Sequence, residues 1–480
     1  MIKQFFKDTT IYSITNIISR GLNFFLLPLY TRIFIPKDYG IIDILTLITT
    51  LVNLTVPLEI SQGVARFYTD TQNLDCKSEY ASTSFWFTLG AYTVFLIFTV
   101  PFSGFLSKWI LGDSNYQYLL IIAIIASFFN GLLYLAQNQV RWQLKAKSYS
   151  ITNLVYTIIS FISTIILLFI FKIGIQSIFY ANIIASITSL ILALFYIRGT
   201  YKFIFKWSKC RDMLSFSIPL VFSSISVFIS LYIDRICLQH LMSLKDVGIY
   251  GIGYRFASII TLFLSGFQSA LTPLIFNHYR DEKTPQDIAK IFNIFLVLIF
   301  SIILFLSLFS LDILYVFTTP AYYSAYPIIP ILSSAIILAN MYIFSPGLGI
   351  AKKTRTIGLI NLITAITNTI LNVFLIPYIG IIGAAIATFI SSFLSFSLYV
   401  KEGQKFYPIC YPSISKITKL SVIVLMNFTV IYFLNFINLK LYILFFLKIL
   451  LFTISVYHIF NQLIGRNKIL YLYHKFRVFS

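Results

Sequence analysis

Three arginines and three carboxylates of this chain stand where charge is costly. Arg20, Arg66 and Arg255, and Asp43, Glu59 and Asp234, lie in or at the edge of long apolar stretches. An arginine at the centre of a membrane helix costs about 3 kcal/mol on insertion scales, so a partner or a task retains it. Its guanidinium is a planar fork of donors that matches phosphate oxygens. Arg20 and Arg255 are therefore candidate holders of an anionic head group. Arg66, just past the second apolar stretch, is placed to guard the cytoplasmic mouth. A carboxylate in such surroundings can take up a proton or Na⁺, which makes Asp43, Glu59 and Asp234 candidates for ion coupling. The plainer alternative is charge neutralisation: Arg20 against Asp43 or Glu59, and Asp234 against Arg235 or Arg255.

Several of these charges continue polar stripes at helical spacing. One stripe is Ser13, Asn16, Arg20 and Asn23; another is Asp43, Thr46, Thr50 and Asn53. Further stripes carry Asn130 and Tyr134; Ser223, Ser226, Ser230 and Asp234; Tyr254 and Ser258; and Asn361, Thr364, Asn368 and Asn372. Lipid-facing surfaces are apolar, so such stripes mark an inward, wetted face. On this reading Asn16, Asn23 and Asn368 join the arginines as candidate contacts to the head group. The alternative for any single Ser or Thr is helix-to-helix adhesion, worth about 1 kcal/mol or less.

The elements that must position these residues follow from composition. Of 480 residues 58% are hydrophobic and only 11% charged, too few charges for a soluble surface. Fourteen stretches of membrane-crossing length follow one another from 10–30 to 441–463. The second is 40–62 and the eighth 247–275; the tenth, 323–345, is interrupted by prolines. The net charge of +20 is distributed unevenly. With the N-terminus inside, cytoplasmic segments hold 26 of the 36 Lys and Arg and outer loops 7. That bias is the positive-inside rule, predicts cytoplasmic termini and argues against nucleic acid as the partner. The first span is too long, and lacks the small-residue site, for a cleaved signal peptide.

The chain also repeats itself. Lys37-Asp38-Tyr39-Gly40-Ile41 returns 208 residues later as Lys245-Asp246-Val247-Gly248-Ile249. Lys172-Ile173-Gly174-Ile175 returns at an offset of 206 as Tyr378-Ile379-Gly380-Ile381. Six spans per copy give both copies the same orientation, a parallel repeat. The expected fold is all-α and polytopic, with about 14 transmembrane helices. Two six-helix bundles, 1–200 and 201–405, surround a central cavity; 406–480 adds two C-terminal helices and a cytoplasmic tail. Pro28, Pro57 and Pro219 mark places where a span could kink.

Other chemistry finds no footing. The four cysteines and four histidines are scattered, so neither a metal site nor a structural disulfide is expected. There is no phosphate-binding glycine loop with lysine, no nucleophile elbow and no large outer loop. No catalytic residues and no cofactor are expected.

Certain motifs carry a resemblance. They are Pro28-Leu29-Tyr30-Thr31-Arg32, Asp38-Tyr39-Gly40, Arg66-Phe67-Tyr68, Asp234-Arg235, Asp246-Val247-Gly248-Ile249-Tyr250 and Gly383-Ala384-Ala385-Ile386-Ala387. In order and spacing the chain resembles the polysaccharide exporter branch of the multidrug/oligosaccharidyl-lipid/polysaccharide (MOP) superfamily, and most closely the Wzx-type O-antigen repeat-unit flippases. The resemblance implies a multi-pass protein of the bacterial inner membrane that flips a polyprenyl-pyrophosphate-linked oligosaccharide for O-antigen, capsule or exopolysaccharide synthesis. It implies membrane lipid and that substrate as partners, together with a polysaccharide polymerase and a chain-length regulator. Arg20 and Arg255 resemble the arginines in spans one and eight of the lipid II flippase, which suits a pyrophosphate. Competing readings are a flippase for lipid II or another lipid-linked precursor, a cation-coupled drug exporter, and a membrane glycan polymerase or ligase.

Overall fold

The computed structural model describes residues 2–412, 414–434 and 441–464; the tail expected to be cytoplasmic lies outside them. Among the described residues every regular element is helical. The helices begin with α1 (Ile2–Ile33), α2 (Pro36–Thr55), α3 (Ile60–Asp70), α4 (Leu74–Thr99), α5 (Ser103–Leu111), α6 (Gln117–Trp142), α7 (Ala146–Ile165), α8 (Gln176–Tyr196) and α9 (Trp207–Leu241). They continue with α10 (Leu244–Ser258), α11 (Ile260–His278), α12 (Thr284–Phe317), α13 (Ile328–Asn340), α14 (Gly347–Ile350), α15 (Thr354–Gly403), α16 (Ile414–Leu434) and α17 (Leu441–Ile464). Nine helices among the described residues are long and apolar enough to cross a membrane, or ten if the α10–α11 pair, bent by 41°, is one span. The expected number of fourteen is not reached by that test. Helices also run past the apolar stretches, because backbone hydrogen bonding does not stop where hydropathy falls.

Two expected spans are broken. The span 40–62 divides into α2 and α3 at Pro57, where Leu58 and Glu59 take left-handed backbone angles of φ 51° and 52°. The span 323–345 becomes α13 between short 3₁₀ turns. The helix spanning 354–403 is interrupted at Gly380, with φ 59°. Its repeat counterpart Gly174 also has positive φ, 73°, so the matched glycines serve matched turns.

The chain divides into two compact units, residues 1–232 with 243–248, and residues 233–242 with 249–480. In the first, the repeated motif forms two helix starts. The Asp38 carboxylate accepts from the backbone N–H of Ile35 (3.4 Å), while Ser243 Oγ donates to Asp246 Oδ2 and accepts from the Asp246 N–H. Each aspartate thus sits at the third helical position and steadies a first turn. Two residues on, the helices cross. A methyl on Gly40 would stand 1.8 Å from the carbonyl oxygen of Leu244; one on Gly248 would stand 1.9 Å from that of Pro36. Pro36 and Leu244 are separated by the same 208 residues as the two glycines, so the two copies of the motif meet in a reciprocal contact. Elsewhere in this unit, buried faces of α3, α4 and the start of α9 share a core of Ile60, Val64, Tyr68, Tyr80, Ala81 and Met213.

In the second unit the C-terminal helices dock on α12. Phe305 and Phe309 of α12 meet Phe445 and Phe452 of α17 with ring centroids 5.8–6.5 Å apart. Lys448 Nζ, from α17, donates to Asp312 Oδ2 of α12 at 2.6 Å, with the lysine side chain 1% exposed. Asn427 of α16 donates to Ser455 of α17 at 3.0 Å. Lys448 is therefore paired inside the protein and does not reach out to a membrane surface as a snorkelling lysine would.

Candidate functional site

The break after α2 opens a pocket of mixed polar and apolar lining in the first unit. Residues of α2, α3, α4 and α6 enclose a cavity of about 300 Å³, lined by Thr50, Asn53, Glu59, Ser61, Thr88, Asn130 and Tyr134 beside apolar Leu54, Pro57 and Ile60. Glu59 reaches the pocket because Pro57 and the left-handed pair Leu58–Glu59 end one helix and start the next. Non-glycine residues in that region store strain that surrounding structure must hold. Glu59 Oε1 accepts from Ser224 Oγ of α9 at 2.8 Å.

The amides are held by their neighbours. Tyr92 Oη donates to Asn53 Oδ1 at 2.6 Å, and Ser127 Oγ donates to the same oxygen at 3.3 Å. Asn53 Nδ2 donates in turn to Asn130 Oδ1 at 3.4 Å. A network anchored on buried Tyr92 fixes which way both amides present. Thr88 Oγ1, on the same wall, is buried and has no hydrogen-bond partner.

The second unit holds a separate charged cluster. Asp234 and Arg235 are 2% and 3% exposed. Tyr250 donates to Asp234 Oδ2, and the Arg235 guanidinium lies 3.7 Å from Asp234 Oδ1 and 4.3 Å above the Tyr254 ring. The carboxylate is thus compensated by an ion pair and a phenol, and the cation by a carboxylate and an aromatic face.

The residues expected from sequence are distributed over both units. Glu59 lines the pocket, together with Thr50, Asn53, Asn130 and Tyr134 of the polar stripes. Asp43 is buried in α2, and Arg20 is exposed on α1. Arg66 is exposed near the end of α3, 3.4 Å from Asp70 and over the ring of Phe216. Arg255 is half-buried on α10. Asn368 is buried in α15 and accepts from Asn372 Nδ2 at 2.6 Å. The side chains of Ser13, Asn16 and Asn23 lie outside the described residues. Of the alternative pairings, Asp234 with Arg235 forms, and Glu59 is met by a serine.

Several striped hydroxyls turn back to their own helices: Thr46 to Ile42 O, Thr50 to Thr46 O and Ser226 to Phe222 O. The stripes did not include Thr88, Ser127 and Ser224, which stand off them. Thr50, Asn53, Asn130 and Tyr134 are the stripe members that line the pocket.

Long apolar helices around buried carboxylates and amides define a multi-pass membrane protein. Residues 5–278, more than half of the chain, match the family model for polysaccharide biosynthesis proteins, and the chain belongs to that family. Residues 219–374 match the MatE model. A protein of the Lsg locus of Haemophilus influenzae is 24% identical over 291 residues, covering 58% of this chain and 67% of that one. An uncharacterized membrane protein of Methanocaldococcus jannaschii is 27% identical over 199 residues, 40% of this chain and 39% of that one. The fold is similar to that of the lipid II flippase MurJ in an inward closed conformation, with a TM-score of 0.75 at 18% identity, covering 94% of this chain and 98% of that one. It is also similar to an inward-facing multidrug resistance transporter of the MATE family and MOP superfamily, with a TM-score of 0.63 at 14% identity, covering 81% and 93%.

Proposed function

We propose that this chain is a flippase, not an enzyme, and that it moves a polyprenyl-pyrophosphate-linked oligosaccharide repeat unit across a bacterial inner membrane. The observation that carries the reading is the pocket built among membrane helices of a polysaccharide biosynthesis family, with a carboxylate and two amides in its lining. Such polar groups in an apolar protein suit a hydrophilic head group whose lipid tail stays in the bilayer. Membership in that family and the fold shared with a lipid II flippase support it. The product would feed O-antigen, capsule or exopolysaccharide assembly, with a polymerase and a chain-length regulator acting after it. In this reading two parallel six-helix repeats, 1–200 and 201–405, operate by alternating access with both termini cytoplasmic. Arg20, Arg66 and Arg255 engage the pyrophosphate, and Asn16, Asn23 and Asn368 engage polar groups of the substrate. Asp43, Glu59 and Asp234 are the candidates for a coupling H⁺ or Na⁺, and of these Glu59 lines the pocket.

The test is flipping of a fluorescent polyprenyl-pyrophosphate oligosaccharide in proteoliposomes, with Arg20→Ala and Arg255→Ala beside the unaltered protein. Transport that both substitutions abolish, with folding intact, is the expected result. No transport by the unaltered protein under H⁺ and Na⁺ gradients would refute the flippase reading. Normal transport by both variants would make the arginines structural. A second reading has one observation in its favour: the pocket's charge is acidic, which suits an organic cation and a cation-coupled drug exporter. Efflux of a cationic dye, without oligosaccharide flipping, would select it.

A further inference from the structure

Among the described residues, Glu59 is the only charged side chain that lines the pocket of the first unit. A pyrophosphate lodged there would meet a carboxylate and no cation, a like-charge contact at short range. The head group's anionic part is therefore poorly matched to this recess. Its size also argues against a lone metal cation. About 300 Å³ is roughly ten water volumes, and it lies at the lower end of small-molecule pockets. That is room for one sugar ring with a few waters.

The lining matches such a ring. Sugar hydroxyls donate and accept, so they are best met by a fixed mixture of both. Glu59 accepts, the oriented amides of Asn53 and Asn130 supply both roles, and Ser61 adds a hydroxyl. Leu54, Pro57, Ile60 and half-exposed Tyr134 offer apolar surface for the C–H face of a pyranose. Thr88 stands on the same wall; the residue is 1% exposed, and its hydroxyl is shielded from the cavity. The left-handed pair Leu58–Glu59 holds the carboxylate at the pocket at a cost in backbone strain, as functional constraint does.

Resting on the flippase reading above, we propose that this pocket is the sugar subsite of the transported head group. It takes one uncharged pyranose ring and leaves the pyrophosphate outside.

The test uses the full chain in nanodiscs with Thr50→Cys as reporter and mass spectrometry to read alkylation at position 50. The probes are methyl glycosides of glucose, galactose, N-acetylglucosamine, rhamnose and fucose, inorganic pyrophosphate, sodium chloride and tetraphenylphosphonium, at matched concentrations. A bound probe slows alkylation by a factor of 1 + [L]/Kd, about threefold at twice Kd. The expected result is protection by at least one glycoside and none by pyrophosphate. Glu59→Gln should weaken the protecting glycoside about tenfold, the loss of one charge-assisted hydrogen bond. Protection by pyrophosphate beyond every glycoside, protection only by a cation, or no protection by any glycoside would each overturn the proposal. Flipping without glycoside protection would sink the subsite alone; glycoside protection without flipping would sink the flippase reading and keep the subsite.

Discussion

Gly40→Ala is the sharpest perturbation the fold offers. The methyl would be 1.8 Å from the carbonyl oxygen of Leu244, where real contacts stay beyond 3.0 Å, so the crossing must open by about 1.2 Å. Neither partner can yield locally, because the contact is backbone against backbone. The helices also carry Tyr39, Ile41 and Val247, all fully buried, and would lift them from their contacts. A gap of 0.5–1 Å already forfeits a quarter to a half of each dispersion contact, and overpacking of this kind costs about 1–3 kcal/mol. Intrinsic helix propensity works the other way, since alanine is favoured over glycine by about 1 kcal/mol. A net loss of stability therefore isolates the tertiary contact. Gly248→Ala should cost a similar amount, as its methyl would lie 1.9 Å from Pro36 O. One separation relieves both clashes, so the double variant should cost clearly less than the sum of the singles. The assay is reversible unfolding in detergent for the four members of that cycle. Gly90→Ala, with nothing within 4 Å of the added methyl, is the control and should be neutral or slightly stabilising. If Gly40→Ala behaves like that control, or if the two substitutions add, the reciprocal crossing is not a packed contact of the folded protein.

Other outcomes follow from single contacts. Lys448→Met leaves Asp312 without its partner and should cost about 3–5 kcal/mol, whereas Lys448→Met with Asp312→Leu should recover most of it; chemical denaturation of the set decides, and no recovery would show that the ion pair does not govern docking of α17. Asp234→Asn should destabilise the protein by a comparable amount through Arg235, and Tyr250→Phe by about 1 kcal/mol or somewhat more, both read as shifts in thermal unfolding; an unchanged Asp234→Asn would contradict the buried pair. Ser224→Ala removes the donor to Glu59 and should cost about 1–3 kcal/mol, with no effect expected if the carboxylate is simply solvated.

Much of this molecule was legible in the linear sequence because the signals are local. A run of apolar residues predicts a membrane helix wherever it occurs, since backbone satisfaction in lipid leaves few other choices. The motif at Asp38 and Asp246 signals a helix start through a contact three residues long, and Gly174 and Gly380 signal turns through their own φ. Polar spacing at 3.6 residues identified Asn53, Asn130 and Tyr134 as inward-facing. What the tertiary structure decided are pairings between distant positions. Nothing local says that Ser224 meets Glu59 across 165 residues, that Lys448 meets Asp312 across 136, or that Tyr92 orients Asn53. Nor does hydropathy say that the second span breaks at Pro57 and turns Glu59 toward a pocket, because a proline kinks or merely bends according to what packs beside it. Sequence determines where polar and charged residues lie along each helix. Only the packing of helices far apart in the chain determines which of those charges meet, and which remain open to a ligand.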